Sequence, residues 1–296
     1  MKFACIAEHR DSWPVAMMCR LLAVSRAGFY AAERRNRQPL GPRAQADLRL
    51  TLEVRAAHLA SGERYGAPKI HKDLVAQGVP GGRHHIARIM REHEWQGCSP
   101  KRFRVRTTQA DPAHPVAPNV VARTFRPEVI GGRDRVWGAD ITYLGTAEGA
   151  LYLAVVLDLG TRRVVGWKAD TTLDQSLPLG ALERALRLRG PVPGLHHHSD
   201  RGSQYTSAAY QAMLQAHRII PSMSRRGDCW DNAVVESFFA TLKRELPTDR
   251  WPTRAAAQRD LSEFIDHWYN HQRRHRALGY RSPVQYERDL ARLRMA

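Results

Sequence analysis

Val136-Trp137-Gly138-Ala139-Asp140-Ile141-Thr142-Tyr143 is an apolar run with one acid at its centre. Apolar or alternating patterns fill 135–144, 150–159 and 162–169, and the turn-forming pairs Glu148-Gly149 and Gly160-Thr161 separate them. Runs of this length between turn residues predict a three-stranded antiparallel meander. Leu177, Leu179, Leu182 and Leu186 then set a helix over 174–189, stopped by Gly190-Pro191. A short strand from 195 into Asp200, a helix over 206–217, a strand over 218–222 and a helix from about 231 to 246 follow.

Three strands, then helix, strand, helix, strand, helix is the order of a ribonuclease-H-like core. The predicted fold class is therefore α/β, a mixed five-stranded sheet flanked by helices and preceded by small all-helical DNA-binding segments. In front of the core, Val15, Met18, Leu21 and Leu22 mark one helix, and Ser25 caps a second that carries Phe29 and Tyr30. A helix over 44–60 comes next. A second pair spans 67–77 and 83–94, with Ile70, Leu74, Ile86, Ile89 and Met90 at helical spacing. Each pair reads either as a helix-turn-helix unit or as an ordinary helical hairpin.

The expected division has a helix-turn-helix-like segment at 1–60, a second at 61–106 and a Pro-rich linker at 107–130. The core follows at 131–246, with a helical extension at 247–296. The extension carries helices at 255–269 and 283–294.

The chain has 46 Lys and Arg against 29 Asp and Glu, a net charge of +17. Such an excess speaks to nucleic acid or anionic membrane partners rather than to fold. Residues 1–130 hold 22 of the bases and 11 of the acids, so the excess gathers at the front. Forty of the bases are Arg, which suits bidentate phosphate contacts, although a GC-rich genome gives the same bias. Cys5, Cys19, Cys98 and Cys229 have no metal or disulfide spacing and fit reduced thiols of a cytoplasmic protein. No run approaches 18 apolar residues, so the chain is not expected to span a membrane, and no membrane partner is expected.

Against that basic background three acids stand out. Asp140 lies mid-strand, where an unpaired charge is costly. Asp200 ends a strand in His198-Ser199-Asp200-Arg201-Gly202-Ser203-Gln204-Tyr205. Glu236 lies on the last core helix in Asp231-Asn232-Ala233-Val234-Val235-Glu236, with thirty-five residues between it and Asp200. Carboxylates are hard ligands that hold Mg²⁺ together with water and phosphate. Asp158, the best rival acid, reads as structural or as a turn-former before Gly160.

Lys243 shares a helix face with Glu236, either to meet a phosphodiester or as a solvated pair. His196, His197 and His198 cannot all bind one ion, because adjacent strand residues face opposite ways. His198 is expected near the acids and in contact with DNA, and Arg201 in the following loop is expected at phosphate. Lys101, Arg102, Arg104 and Arg106 alternate with apolar residues as a strand or a phosphate-tracking linker.

These phrases, with Cys19-Arg20-Leu21-Leu22, Tyr65-Gly66-Ala67-Pro68-Lys69-Ile70-His71 and an ending through Tyr269-Asn270, Arg274-His275, Leu278-Gly279-Tyr280 and Tyr286, resemble one family over nearly the whole chain. It is the OrfB-type transposase of insertion-sequence family three, within the DDE transposase and retroviral integrase superfamily. The resemblance implies an integrase catalytic core with Asp140, Asp200 and Glu236 as catalytic ligands of two Mg²⁺ ions, Mn²⁺ substituting. It also implies Lys243 as a DNA contact. The implied activity is metal-dependent 3′-end cleavage and strand transfer of an insertion sequence. The implied partners are terminal inverted repeats and target DNA, further copies of the chain assembled on DNA, and an upstream-frame (OrfA-type) product, separate or fused by frameshifting. Two rivals share parts of this pattern: a DNA-binding repressor, which has no use for three acids, and a structure-specific nuclease, which lacks strand transfer.

Overall fold

The computed structural model describes residues 2–37, 41–98, 117–191, 193–225, 229–246, 248 and 251–295. Helices α1 (Lys2–Glu8), α2 (Val15–Leu21) and α3 (Arg26–Arg37) open the chain around a small core of Ile6, Met18, Cys19 and Phe29. The sequence pattern had marked only the last two. α1 forms because Phe3 and Ile6 supply the missing side of that core.

A second helical unit comprises α4 (Pro42–Ala60), α5 (Ala67–Ala76) and α6 (Arg83–Glu92). Leu50, Val54 and Ala57 of α4 share one core with Ile70, Leu74, Ile86, Ile89 and Met90. By packing, α4 therefore goes with the pair that follows it, although the sequence had grouped it with the N-terminal segment. The sequence marks α4 as a helix but not which of its residues are covered: Leu48, Leu52 and Leu59 are exposed while Leu50, Val54 and Ala57 are buried. Lys101, Arg102, Arg104 and Arg106 lie outside the described residues.

After the single turn α7 (Pro127–Ile130) comes the core: β1 (Val136–Thr146), β2 (Gly149–Asp158), β3 (Val164–Asp170), α8 (Ser176–Arg189), β4 (His196–Ser199), α9 (Ser203–Thr206), α10 (Ala208–Ala216), β5 (Ile220–Met223) and α11 (Ala233–Glu245). The sheet order is β3-β2-β1-β4-β5. β1, β2 and β3 pair antiparallel, while β4 joins β1 and β5 joins β4 in parallel. This is the ribonuclease-H-like arrangement expected from the element order.

One face buries Trp137, Ala139, Ala154, Val156 and Val165 beneath α8 and α10. The other buries Leu144, Leu153, Val155 and Leu157 against Val235, Phe238 and Leu242 of α11 and against the C-terminal helices. α8 sits so low on β3 that a Cβ at Gly166 would lie 2.1 Å from the carbonyl oxygen of Ala181.

The C-terminal part differs in form from the single helix expected over 255–269. α12 (Arg254–Ser262) continues as a wider π-helical stretch, Glu263–Gln272. That stretch turns Asn270 onto the outer edge of the sheet, where its amide donates to Val164 O and accepts from Val164 N, each at 3.0 Å. It also places Asp266 to accept from Trp167 Nε1 at 3.1 Å. α13 (Pro283–Met295) is tied in by Glu287, which accepts from Thr161 Oγ1 at 2.9 Å and pairs with Arg163 at 2.6 Å and with Arg189.

The α4–α6 unit docks on this extension through buried Tyr65, whose hydroxyl accepts from Arg274 N at 2.8 Å and donates to Gln272 O at 3.3 Å. Asp73 pairs with Arg274 beside it. Among the described residues no single helix is long and apolar enough to cross a membrane.

Candidate active site

The pairing register brings the first two acids abreast. Gly138 of β1 lies opposite His198 of β4. Asp140 and Asp200 each follow two residues later on parallel, adjacent chains. The third acid arrives on α11, which crosses β1 closely because position 138 has no side chain; a Cβ there would meet Val235 Cγ2 at 2.8 Å. Asn232, just before α11, donates from Nδ2 to Ala139 O at 3.1 Å and pins the helix start to the strand carrying Asp140. Glu236, one residue beyond Val235, is held beside the pair.

Both aspartates are oriented by backbone. Asp140 Oδ1 accepts from Ile141 N at 2.8 Å, and Asp200 Oδ1 accepts from Gly202 N at 3.0 Å. The Oδ2 atoms of both have no hydrogen bond among the described residues, leaving an oxygen of each for a cation.

The Asp140 carboxyl is pushed well above the usual carboxylate range, first by burial, then by the charge of Asp200, with Glu236 adding to it. The Ile141 N–H and the Lys243 ammonium work in the opposite direction. Burial raises Glu236 as well. Lys243 is lowered by burial and drawn back up by Asp140, which places it in the same field.

A buried Asp140 whose ionisation Asp200 and Glu236 oppose, with hard oxygens to spare, fits a divalent cation as counter-charge. As placed, however, no group of three His, Cys, Asp or Glu among the described residues is drawn together closely enough to hold a metal by itself. The acids are repelling neighbours, and the residues fit the ion in chemistry and position rather than as a finished cage.

The remaining sequence-predicted residues divide. Arg201 lies in the loop after Asp200, with Nε donating to Ser224 O at 2.8 Å, so it braces that loop against the segment leaving β5. His198 does not reach DNA as expected. It is fully buried, with Nδ1 2.9 Å from Ser222 Oγ and Nε2 3.2 Å from Ser224 Oγ, so both ring nitrogens are engaged under the sheet. Burial lowers its pKa and keeps it neutral. The cause is depth rather than side: His198 lies two residues before Asp200, on the same side of the sheet, but further in, where Ser222 and Ser224 enclose it.

His197 is equally buried, against Tyr210 Oη at 2.9 Å, and burial brings it down to about 3. Asp158 accepts from the N–H groups of Asp134 at 2.7 Å, Gly160 at 2.9 Å and Thr161 at 3.1 Å, the turn-forming part read for it.

Two residues inside a quoted phrase had no role read for them. Asn232 is one. Asp231 is the other: it is buried and accepts from Asn119, Arg123 and Arg225. Those bonds, led by Arg225, hold its carboxyl far below the usual range despite burial. It fastens the segment before α7 to the site. The Asp-Asn dipeptide ahead of a helix was the available signal, but apart from Arg225 its partners lie about a hundred residues away in sequence.

With this geometry in view, the comparisons with known proteins agree. The family "Integrase core domain" matches residues 132–229 and, in a second form, 217–283; the family "HTH-like domain" matches 45–103. The transposase InsF for insertion sequence IS3A of Escherichia coli (strain K12) is 38% identical over 291 residues, covering 97% of this chain and 98% of that one. The insertion element IS600 uncharacterized 31 kDa protein of Shigella sonnei is 39% identical, covering 91% and 97%.

Among solved structures, the HTLV-2 integrase catalytic core domain in complex with magnesium aligns with a TM-score of 0.42 at 17% identity, over 53% of this chain and 98% of that one. A simian T-cell lymphotropic virus intasome in complex with the PP2A regulatory subunit B56 gamma aligns with a TM-score of 0.45 at 16% identity, over 78% and 73%.

The class is thus a DDE-type polynucleotidyl transferase with an integrase core and a helix-turn-helix-like unit. More narrowly, the chain belongs to the family of the IS3 insertion-sequence transposases.

Proposed function

We propose that Asp140, Asp200 and Glu236 are the catalytic acids of this transposase and hold two Mg²⁺ ions, with Mn²⁺ able to substitute. The observation that carries this is that Asp140 and Asp200 stand abreast on adjacent parallel strands while Asn232 and the bare Gly138 let α11 bring Glu236 beside them. When bound, divalent cations supply Lewis-acid chemistry at a phosphodiester.

The chain's own part is positional. Ile141 N and Gly202 N fix the aspartates, Asn232 fixes the approach of α11, and the Lys243 ammonium offers a phosphate contact beside them. Water attacks the phosphodiester at an element end and frees a 3′-OH. That hydroxyl then attacks a second phosphodiester, so strands are joined at no net loss of bonds and without a covalent protein intermediate.

The α4–α6 unit and the basic segment through Lys101, Arg102, Arg104 and Arg106 grip DNA, namely the element's terminal inverted repeats and the target. Copies of the chain assemble on that DNA in the bacterial cytoplasm, and an upstream-frame product completes recognition as a partner or a frameshift fusion. Arg201 and Lys243 are the DNA contacts nearest the acids.

Asp140→Asn, Asp200→Asn and Glu236→Gln should each reduce end cleavage to background while leaving DNA affinity within about twofold of wild type. Full cleavage by any one variant removes that residue from the set. A labelled 3′-OH end separates transposition from simple nuclease action, since only the former yields a joined product.

A further inference from the structure

Tyr205 has a buried hydroxyl that nothing in the protein satisfies. It lies on α9, one turn beyond the Asp200 loop, and its backbone N–H donates to Gly202 O at 3.0 Å. The side chain is 2% exposed and packs edge-on against Tyr210 with ring centroids 5.3 Å apart. Tyr210 engages its own hydroxyl with His197 Nε2. The Tyr205 hydroxyl has no hydrogen-bond partner among the described residues.

Buried phenols usually find an acceptor, because a dry, unpaired donor is destabilising. The charged groups whose field reaches this phenol are Asp140 and Asp200. Burial is the largest influence on it and Tyr210 adds to it, so the phenol is held protonated, as a donor. Orphaned buried groups in native proteins commonly mark a place where a water or an ion is bound.

We infer that Tyr205 is a positioning residue of the acidic site: when a divalent cation draws the Asp140 and Asp200 carboxylates together, its unpaired hydroxyl donates a hydrogen bond to them, directly or through one water, and so sets how tightly these acids hold the ion. Hydrogen bonds of this outer kind orient ligating carboxylates, and their loss typically weakens metal affinity about 10- to 100-fold. The inference rests on the reading of Asp140 and Asp200 as metal ligands.

The test uses the full chain without DNA, titrated with Mn²⁺ while the free ion is counted by its electron paramagnetic resonance signal. Wild type, Tyr205→Phe and Asp140→Asn are compared, and each is also melted without metal. Tyr205→Phe should bind Mn²⁺ about tenfold more weakly, with a metal-free melting temperature equal to or above wild type, because only an unpaired donor has been removed. Asp140→Asn should lose the site.

Wild-type affinity in Tyr205→Phe, alongside loss in Asp140→Asn, overturns the role of Tyr205 and leaves the acids in place. A metal-free Tyr205→Phe protein that melts several degrees lower shows that the hydroxyl serves the fold, and also overturns it. Wild-type binding by Asp140→Asn overturns the ligand assignment itself, and this inference with it.

Discussion

Replacing Gly138 by Ala should damage catalysis more than stability, and the structure says by how much. An added Cβ would stand 2.8 Å from Val235 Cγ2 and 2.9 Å from Leu159 Cδ2. Carbon atoms pack best about 3.5–4.0 Å apart, so roughly 0.7–1.2 Å must be found. Leu159 can rotate away. Val235 is β-branched, sits on a helix and has little rotamer freedom, so α11 itself must move off β1.

Overpacking of this kind costs about 1–3 kcal/mol, which lowers the melting temperature by several degrees. Glu236 is the next residue on that helix, and its distance to Asp140 opens by the same displacement. A misplacement of about 1 Å at a reacting centre can cost on the order of 10²-fold in rate. Single-turnover end cleavage at saturating Mg²⁺ should therefore fall by one to two orders of magnitude in Gly138→Ala, with DNA affinity unchanged.

The double variant Gly138→Ala/Val235→Ala removes the clashing methyl group and should recover most of the rate, even though Val235→Ala alone is destabilising. Wild-type cleavage by Gly138→Ala would refute the claim that close approach of β1 and α11 sets the site. So would a double variant no faster than the single.

Two further outcomes follow from the contacts around the site. Asp231→Asn should lower stability at neutral pH by about 1–2 kcal/mol. That is less than the 3–5 kcal/mol of a fully buried pair, because Arg123 and Arg225 are about half exposed and can resolvate. The folded-state pKa of Asp231 lies below its ordinary value of 3.8, so its contribution is complete above that value and is lost as pH falls through the lower folded value. The gap in urea midpoint between wild type and Asp231→Asn should thus be constant from pH 7 to about 5 and shrink in acid; a gap that widens in acid contradicts the assignment. Tyr65→Phe should cost about 1–3 kcal/mol, since Arg274 N and Gln272 O lose their partner. Faster amide exchange at Arg274 and easier proteolysis between the α4–α6 unit and the core are expected, and unchanged exchange there would show that the hydroxyl does not hold the two together.

Much of this was legible in the chain order alone. Continuous or alternating apolar runs between turn residues mark β1, β2 and β3, a sheet buried on both faces, and leucines at helical spacing mark α8. An acid inside such a run must have a reason to be there, which singles out Asp140; Asp200 and Glu236 joined it through their flanking phrases and the family those phrases resemble. Only the tertiary structure decided what depends on partners distant in sequence. His198 reads as a neighbour of Asp200, yet it lies deeper along the sheet, enclosed by Ser222 and Ser224. α4 reads as a helix, but only packing shows that Leu50, Val54 and Ala57 are the side covered by α5 and α6. Asn232 and Asn270 read as ordinary polar residues until Ala139 O and the backbone of Val164 come within reach. Local periodicity is written in covalent neighbours, whereas hydrogen-bond satisfaction and close approach exist only once the chain has brought distant segments together.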